Sequence, residues 1–150
     1  MSVSHPFFIR SFAKLNLFLY VVSKRHDGYH ELCSLMTCID LCDELYPDFN
    51  AKKIAVSCDH PEVPSNESNL AFKAACLFYD SLKKPVPGKK AVSIHISKKI
   101  PPGGGLGGGS SNAASVLMAL NKYYQYPFTQ EEIMRLGLCL GADVPFFIFG

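Results

Sequence analysis

The stretch Pro101-Pro102-Gly103-Gly104-Gly105-Leu106-Gly107-Gly108-Gly109-Ser110-Ser111-Asn112-Ala113-Ala114 constrains this chain more than any other. Six glycines surround one leucine. Glycine has no Cβ, so a backbone built from it reaches positive φ and approaches a bulky group closely. Two serines then open Ala113, Val116, Leu117 and Leu120, a stripe at helical spacing. Bare N–H groups leading into a helix N-terminus make a seat for an anion. The stretch therefore predicts a phosphate cradle. A flexible linker is the plain alternative, but linkers are polar on both sides. Here an alternating apolar run precedes the glycines and the helical stripe follows them.

Two commoner phosphate loops fit poorly. A Walker A loop needs Gly-Lys-Ser/Thr, and Gly109 leads straight into Ser110. The dinucleotide fingerprint matches by letter at Gly103, Gly105 and Gly108, as almost any pattern would in so glycine-rich a run. It also needs a tight strand-to-helix turn and an acid about 20 residues on. Pro101 and Pro102 interrupt the turn, and Lys122, Tyr123 and Tyr124 stand near that spacing.

The strand signals come first along the chain. In residues 7–22, Leu15, Leu17, Leu19 and Val21 share one parity, while Lys14, Asn16, Phe18 and Tyr20 share the other. Alternate strand residues face opposite sides. One face is thus aliphatic, and the other sets a lysine beside an asparagine as a pocket floor. Asp27-Gly28 suits a tight turn. Tyr29 and His30 beyond it suit either a flat polar ligand or a half-buried core. His26 and His30 do not form His-Glu-x-x-His, so no metal pair is expected. Residues 31–46 read as a second strand and 53–58 as a short third, with a loop over 59–66. Residues 69–82 carry Leu70, Ala74, Leu77 and Phe78 at helical spacing, capped by Ser68 or Asn69 and stopped by Pro85 and Pro87. In residues 90–97, Val92, Ile94 and Ile96 alternate with Ser93, His95 and Ser97, a half-buried strand that delivers the chain to the glycines.

Past the first late helix, which runs to about Tyr124, Thr129-Gln130-Glu131-Glu132 is a capping-box signature. It opens a helix bearing Ile133, Met134, Leu136 and Leu140, with Gly141 at a plausible C′ position. Asp143 then sits in Ala142-Asp143-Val144-Pro145-Phe146-Phe147. A carboxylate in so apolar a run is costly to bury unless paired. The expectation is a buried functional carboxylate, in preference to a helix N-cap. Strands first and helices clustered late give an α+β domain with mainly antiparallel pairing.

Composition excludes several function classes. The chain has 150 residues, 48% of them hydrophobic, enough for one domain with its own core. A net charge of +2 predicts neither a nucleic-acid nor a membrane partner. No apolar run reaches the roughly 18 residues of a membrane span, and the first ten residues do not resemble a signal peptide. The six cysteines show no Cys-x-x-Cys pair, so a zinc ribbon is not expected. They lie mostly in apolar runs and are read as reduced thiols of a cytoplasmic protein.

Four segments together resemble the GHMP kinases, small-molecule kinases that include galactokinase, homoserine kinase and mevalonate kinase. They are Ala13-Lys14-Leu15-Asn16-Leu17-Phe18-Leu19, Asp27-Gly28-Tyr29-His30, the glycine stretch, and Leu140-Gly141-Ala142-Asp143-Val144-Pro145-Phe146-Phe147. Gly109 stands where many members carry a first serine. The resemblance implies the family's N-terminal domain fold, like domain 2 of ribosomal protein S5, across residues 1–150. It implies transfer of the ATP γ-phosphoryl group to an alcohol. The branch it resembles acts on the 2-hydroxyl of a cytidine diphosphate-linked methylerythritol, in non-mevalonate isoprenoid synthesis. Another alcohol, or nucleotide binding without full activity, are the alternatives. By the same resemblance Lys14 and Asp143 are catalytic, and Pro101 to Ser111 wrap the triphosphate. Asn69 and Lys98 lie near the nucleoside of ATP, while Asn16, Tyr29 and His30 hold the cytidine end of the acceptor. Mg²⁺ is expected, with no ligands identified. Family members continue into a second domain that completes the cleft, so these residues are expected to lack full activity alone.

Overall fold

The computed structural model describes residues 7–24, 26, 28, 30–84 and 90–150. Among the described residues four strands and four helices follow in the order β1 (Ile9–Lys24), β2 (His30–Asp48), β3 (Ala55–Cys58), α1 (Leu70–Ser81), β4 (Ser93–Ser97), α2 (Gly108–Tyr123), α3 (Gln130–Leu140) and α4 (Val144–Phe149). The sheet order is β1-β2-β4-β3. β1 with β2 and β2 with β4 are antiparallel; β3 with β4 is parallel. A parallel pair needs a crossover, which α1 supplies. This is the α+β architecture with mainly antiparallel pairing that the order of signals predicts.

The helices cover one face of the sheet. Along β4, Ile94 and Ile96 point into the core while His95 faces out. Ala71, Ala74 and Ala75 of α1 are buried with Ala113, Ala114 and Leu117 of α2. Small side chains let the two axes come close, and Phe78 fills the space beyond them, edge-on to Phe128. Asn69 caps α1 by accepting from the Ala71 N–H at 2.8 Å. The capping box at α3 forms as the sequence predicts: Thr129 Oγ1 accepts from Glu132 N, and Glu132 Oε2 accepts from Thr129 N. Among the described residues no helix is long and apolar enough to cross a membrane.

Three local expectations change. First, β4 pairs only with Glu44–Asp48 of β2, so the outer halves of β1 and β2 stand as a two-stranded ribbon. A register shift between Asn16 and Phe18 breaks the alternation there. Leu15, Leu17, Leu19 and Val21 are therefore exposed, as are Phe18 and Tyr20, and the aliphatic face covers no core. Second, α2 begins at Gly108, two residues before the serines. Third, Gly141 ends α3 as its C-cap with φ 169°, extended backbone open to any residue, and not as a left-handed C′ glycine.

Candidate active site

β1 lies at the sheet edge, so one side of its backbone has no strand partner. The Lys14 N–H uses that free edge to donate to Leu106 O at 2.9 Å, stitching the strand to the glycine loop. One residue on, Gly107 takes φ 70° and turns the chain into α2. A Cβ there would stand 2.9 Å from Phe147 Cζ and 3.0 Å from Lys14 Cγ. Gly107 is thus held between β1 and α4, and its left-handed φ favours glycine over residues with a side chain. Gly103 and Gly105 also have positive φ, but face open space.

The helix start then offers donors. Ser111 is the first residue of α2 to bond back, its N–H reaching Gly107 O at 2.8 Å. The N–H groups of Gly108, Gly109 and Ser110 precede that first turn and have no intrahelical acceptor. Ser11 Oγ of β1 stands 2.8 Å from both Ser111 Oγ and Asn112 Oδ1, all three residues being buried. Ser111 therefore turns its hydroxyl inward and fixes α2 on β1. Ser110 lies half-buried beside Gly141.

Lys14 itself is nearly sealed, its side chain 6% exposed. Its ammonium donates to Asn16 Oδ1 at 2.9 Å and faces Asp143 Oδ2 at 3.2 Å. Asp143 is not buried as the sequence suggests; its side chain is 38% exposed. It occupies the residue before α4, makes no side-chain cap bond, and is followed by Pro145 in the first helical turn, where a missing N–H costs nothing. Gly137 lets α4 approach: a Cβ there would meet Ile148 at 2.8 Å and Val144 at 2.9 Å. So a strand, a glycine loop and a short helix bring one amine and one acid, 129 positions apart in a 150-residue chain (143 − 14), beside the free end of α2.

The remaining predicted residues divide. Asn69 spends its side chain on its own helix, donating to Pro64 O as well as accepting from Ala71 N. Lys98 is buried in an ion pair with Asp43 at 2.6 Å, with its ammonium on Gly108. Pro101, Gly103, Gly104 and Gly105 are exposed along the loop. Tyr29 lies outside the described residues, as does the side chain of His30. Asp43 gave no signal in the sequence, because an acid between Cys42 and Glu44 reads as one more strand residue. Among the described residues no three His, Cys, Asp or Glu side chains gather as a metal site. A cavity of about 560 Å³ lies elsewhere, against Phe7, Phe49, Met118 and Tyr123, and shares no residue with the loop or the Lys14–Asp143 pair.

A glycine loop on a helix N-terminus is suited to hold an anion, and here it lies beside a paired lysine and aspartate. The sequence profile of the GHMP kinases N terminal domain matches residues 69–150, and the chain belongs to that family. It is 46% identical over 142 residues to the 4-diphosphocytidyl-2-C-methyl-D-erythritol kinase of Clostridium botulinum (strain Alaska E43 / Type E3), covering 95% of this chain and 49% of that one. A crystal structure of 4-(cytidine 5'-diphospho)-2C-methyl-D-erythritol kinase superposes with a TM-score of 0.76 at 39% identity, over 96% of this chain and 49% of the other. Methanococcus jannaschii mevalonate kinase shares the fold, with a TM-score of 0.69 at 19% identity, over 99% of this chain and 52% of its own. The chain spans about half the length of the relatives it matches.

Proposed function

We propose that these residues form the nucleotide-binding half of a kinase that moves the ATP γ-phosphoryl group to the 2-hydroxyl of 4-diphosphocytidyl-2-C-methyl-D-erythritol. The observation that carries the proposal is the Lys14–Asp143 contact at 3.2 Å beside the glycine loop. The acceptor is supported by the 46% identity to a kinase named for that substrate. The half-length match supports a second part of the enzyme that completes the acceptor pocket.

The chemistry follows from charge. Phosphoryl transfer asks mainly for positioning and for neutralising charge on the moving group. The N–H groups of Gly108, Gly109 and Ser110 hold phosphate oxygens at the positive end of α2. Asp143, reachable from solvent, accepts the proton of the attacking hydroxyl. Lys14 has its position fixed by Asn16 and by burial, so its ammonium orients the carboxylate and stabilises negative charge as it develops. Asn16, Tyr29 and His30 are assigned to the cytidine end. Mg²⁺ generally binds through a carboxylate or two, substrate phosphates and water. Asp43 is unavailable to it, being fully buried and already accepting three hydrogen bonds. An ion brought in on the phosphates of ATP would be held from the protein side by the half-buried Ser110 hydroxyl at the start of α2. When bound it would neutralise phosphate charge.

The test is ATP turnover with the cytidyl acceptor on the full-length protein. Asp143→Asn is expected to lower kcat by roughly 10²–10⁴-fold, the usual contribution of a general base. Lys14→Ala is expected to reduce kcat more than ATP affinity. Retention of activity within about tenfold in Asp143→Asn would remove the base role. Turnover of a different alcohol in place of the cytidyl compound would overturn the acceptor while leaving the kinase.

A further inference from the structure

We propose that Asp43 is a positioning residue for the phosphate site, acting through Lys98 on the first turn of α2. This rests on the reading of the glycine loop as an ATP site. Asp43 lies on β2, 0% exposed, and accepts three hydrogen bonds. Oδ1 takes the N–H groups of Lys99 and Ile100, each at 2.8 Å, and Oδ2 takes Lys98 Nζ at 2.6 Å. All three donors belong to the segment between the end of β4 at Ser97 and Pro101, where the glycine stretch begins. Irregular backbone carries N–H groups that must find acceptors; Asp59 Oδ1 takes the Lys98 N–H at 2.8 Å, and Asp43 takes the next two together with the Lys98 ammonium.

The consequence reaches the loop at Gly108, the first residue of α2. A Cβ there would stand 2.8 Å from Lys98 Nζ and 3.1 Å from Ile100 Cγ2. Lys98 and Ile100, both held by Asp43, are therefore the wall on which the helix start rests. The pair is neutral but oriented, with the carboxylate on the β2 side and the ammonium against the helix end that faces an incoming phosphate. Buried ion pairs add little to stability over apolar residues of the same volume, so stability alone does not explain this one. Held here, the ammonium adds positive charge to the N–H groups of Gly108, Gly109 and Ser110, and Asp43 fixes where that charge sits.

The experiment measures ATP affinity directly by calorimetry on the full-length protein, with thermal unfolding and acceptor KM alongside. Asp43→Asn keeps an acceptor for the two backbone N–H groups and removes the charge. It is expected to weaken ATP binding about tenfold or more, the scale of one lost hydrogen bond to a charged group, with acceptor KM changed less than about twofold. Lys98→Met is expected to do the same, and Asp43→Asn/Lys98→Met to cost no more than Lys98→Met alone, since coupled groups are not additive. Asp43→Leu/Lys98→Met fills the volume with apolar atoms and is the variant expected to keep its melting temperature while losing ATP affinity. Unchanged ATP affinity in that folded variant overturns the proposal and leaves the pair purely structural. Absence of ATP binding in the wild-type protein would instead overturn the underlying assignment of the loop.

Discussion

Replacing Gly107 by alanine perturbs the point where three elements meet. Its φ of 70° lies in the left-handed region, where a side chain costs roughly 1–2 kcal/mol. The added Cβ would also fall 2.9 Å and 3.1 Å from two atoms of the Phe147 ring and 3.0 Å from Lys14 Cγ. Phe147 belongs to α4, and the Lys14 stem is buried, so neither yields cheaply; overpacking of this kind costs roughly 1–3 kcal/mol. Together these give about 2–5 kcal/mol, a fall in Tm of several degrees in a protein of about twice this length. Relief requires Phe147 or the Lys14 stem to shift, and Lys14 carries the 3.2 Å contact with Asp143; if that pair is catalytic as proposed, a displacement near 1 Å costs about 10²-fold in rate. Gly103→Ala is the matched comparison: φ is 75°, yet nothing lies within 4 Å of its Cβ position. It carries the backbone strain without the contacts. The assay is steady-state kinetics and thermal unfolding of both variants in the full-length protein. Gly107→Ala is expected to lose far more of both. Equal losses in the two variants would refute the inference that Gly107 spaces Lys14 from α4.

Ser11→Ala leaves Ser111 Oγ and Asn112 Oδ1 without their buried partner, a loss of about 1–3 kcal/mol measurable by urea unfolding; a change below ~0.5 kcal/mol would dismiss this anchor of α2. Asp59 is held below the usual carboxylate range by the Lys98 N–H and Ser97 Oγ, and Glu132 by Lys83 and the Thr129 N–H. A folded pKa below the unfolded one gives stability that is present above the unfolded value and lost as pH falls through the folded one. Unfolding measured at descending pH is therefore expected to weaken below about pH 4–5, less steeply in Asp59→Asn/Glu132→Gln; an unchanged slope in that variant counts against both contacts. Burial pushes the Cys58 and Cys76 thiols up, whereas Cys33, Cys38 and Cys139 are exposed. Brief alkylation at neutral pH followed by mass spectrometry should label the exposed three first, and early labelling of Cys76 would contradict the packing of α1.

Local signals carried much of this fold. The Thr129 capping box, the Asn69 cap and the alternation around Ile94 each reflect contacts within a few residues, which a sequence displays directly. The ribbon was not legible for a physical reason. Alternation in residues 15–21 says that two faces differ, but not whether a layer of helices covers either of them. The register shift after Asn16 depends on a partner strand and leaves no local mark. The site shows the same division. Lys14 stood out as a lysine beside an asparagine on one strand face, and Asp143 as an acid in an apolar run. Their approach to 3.2 Å depends on how α4 packs on α2 and α3 and α2 on β1, and only family resemblance anticipated it. Asp43 stayed hidden because its three donors lie 55–57 residues away.

The most direct measurement is a crystal structure of the full-length protein with a non-hydrolysable ATP analogue. The β- and γ-phosphate oxygens are expected within hydrogen-bond distance, about 2.7–3.2 Å, of the Gly108, Gly109 and Ser110 N–H groups, with the γ-phosphorus facing Lys14 and Asp143. An analogue bound with its phosphates away from the glycine loop, for instance in the apolar cavity against Met118 and Tyr123, would contradict the assignment.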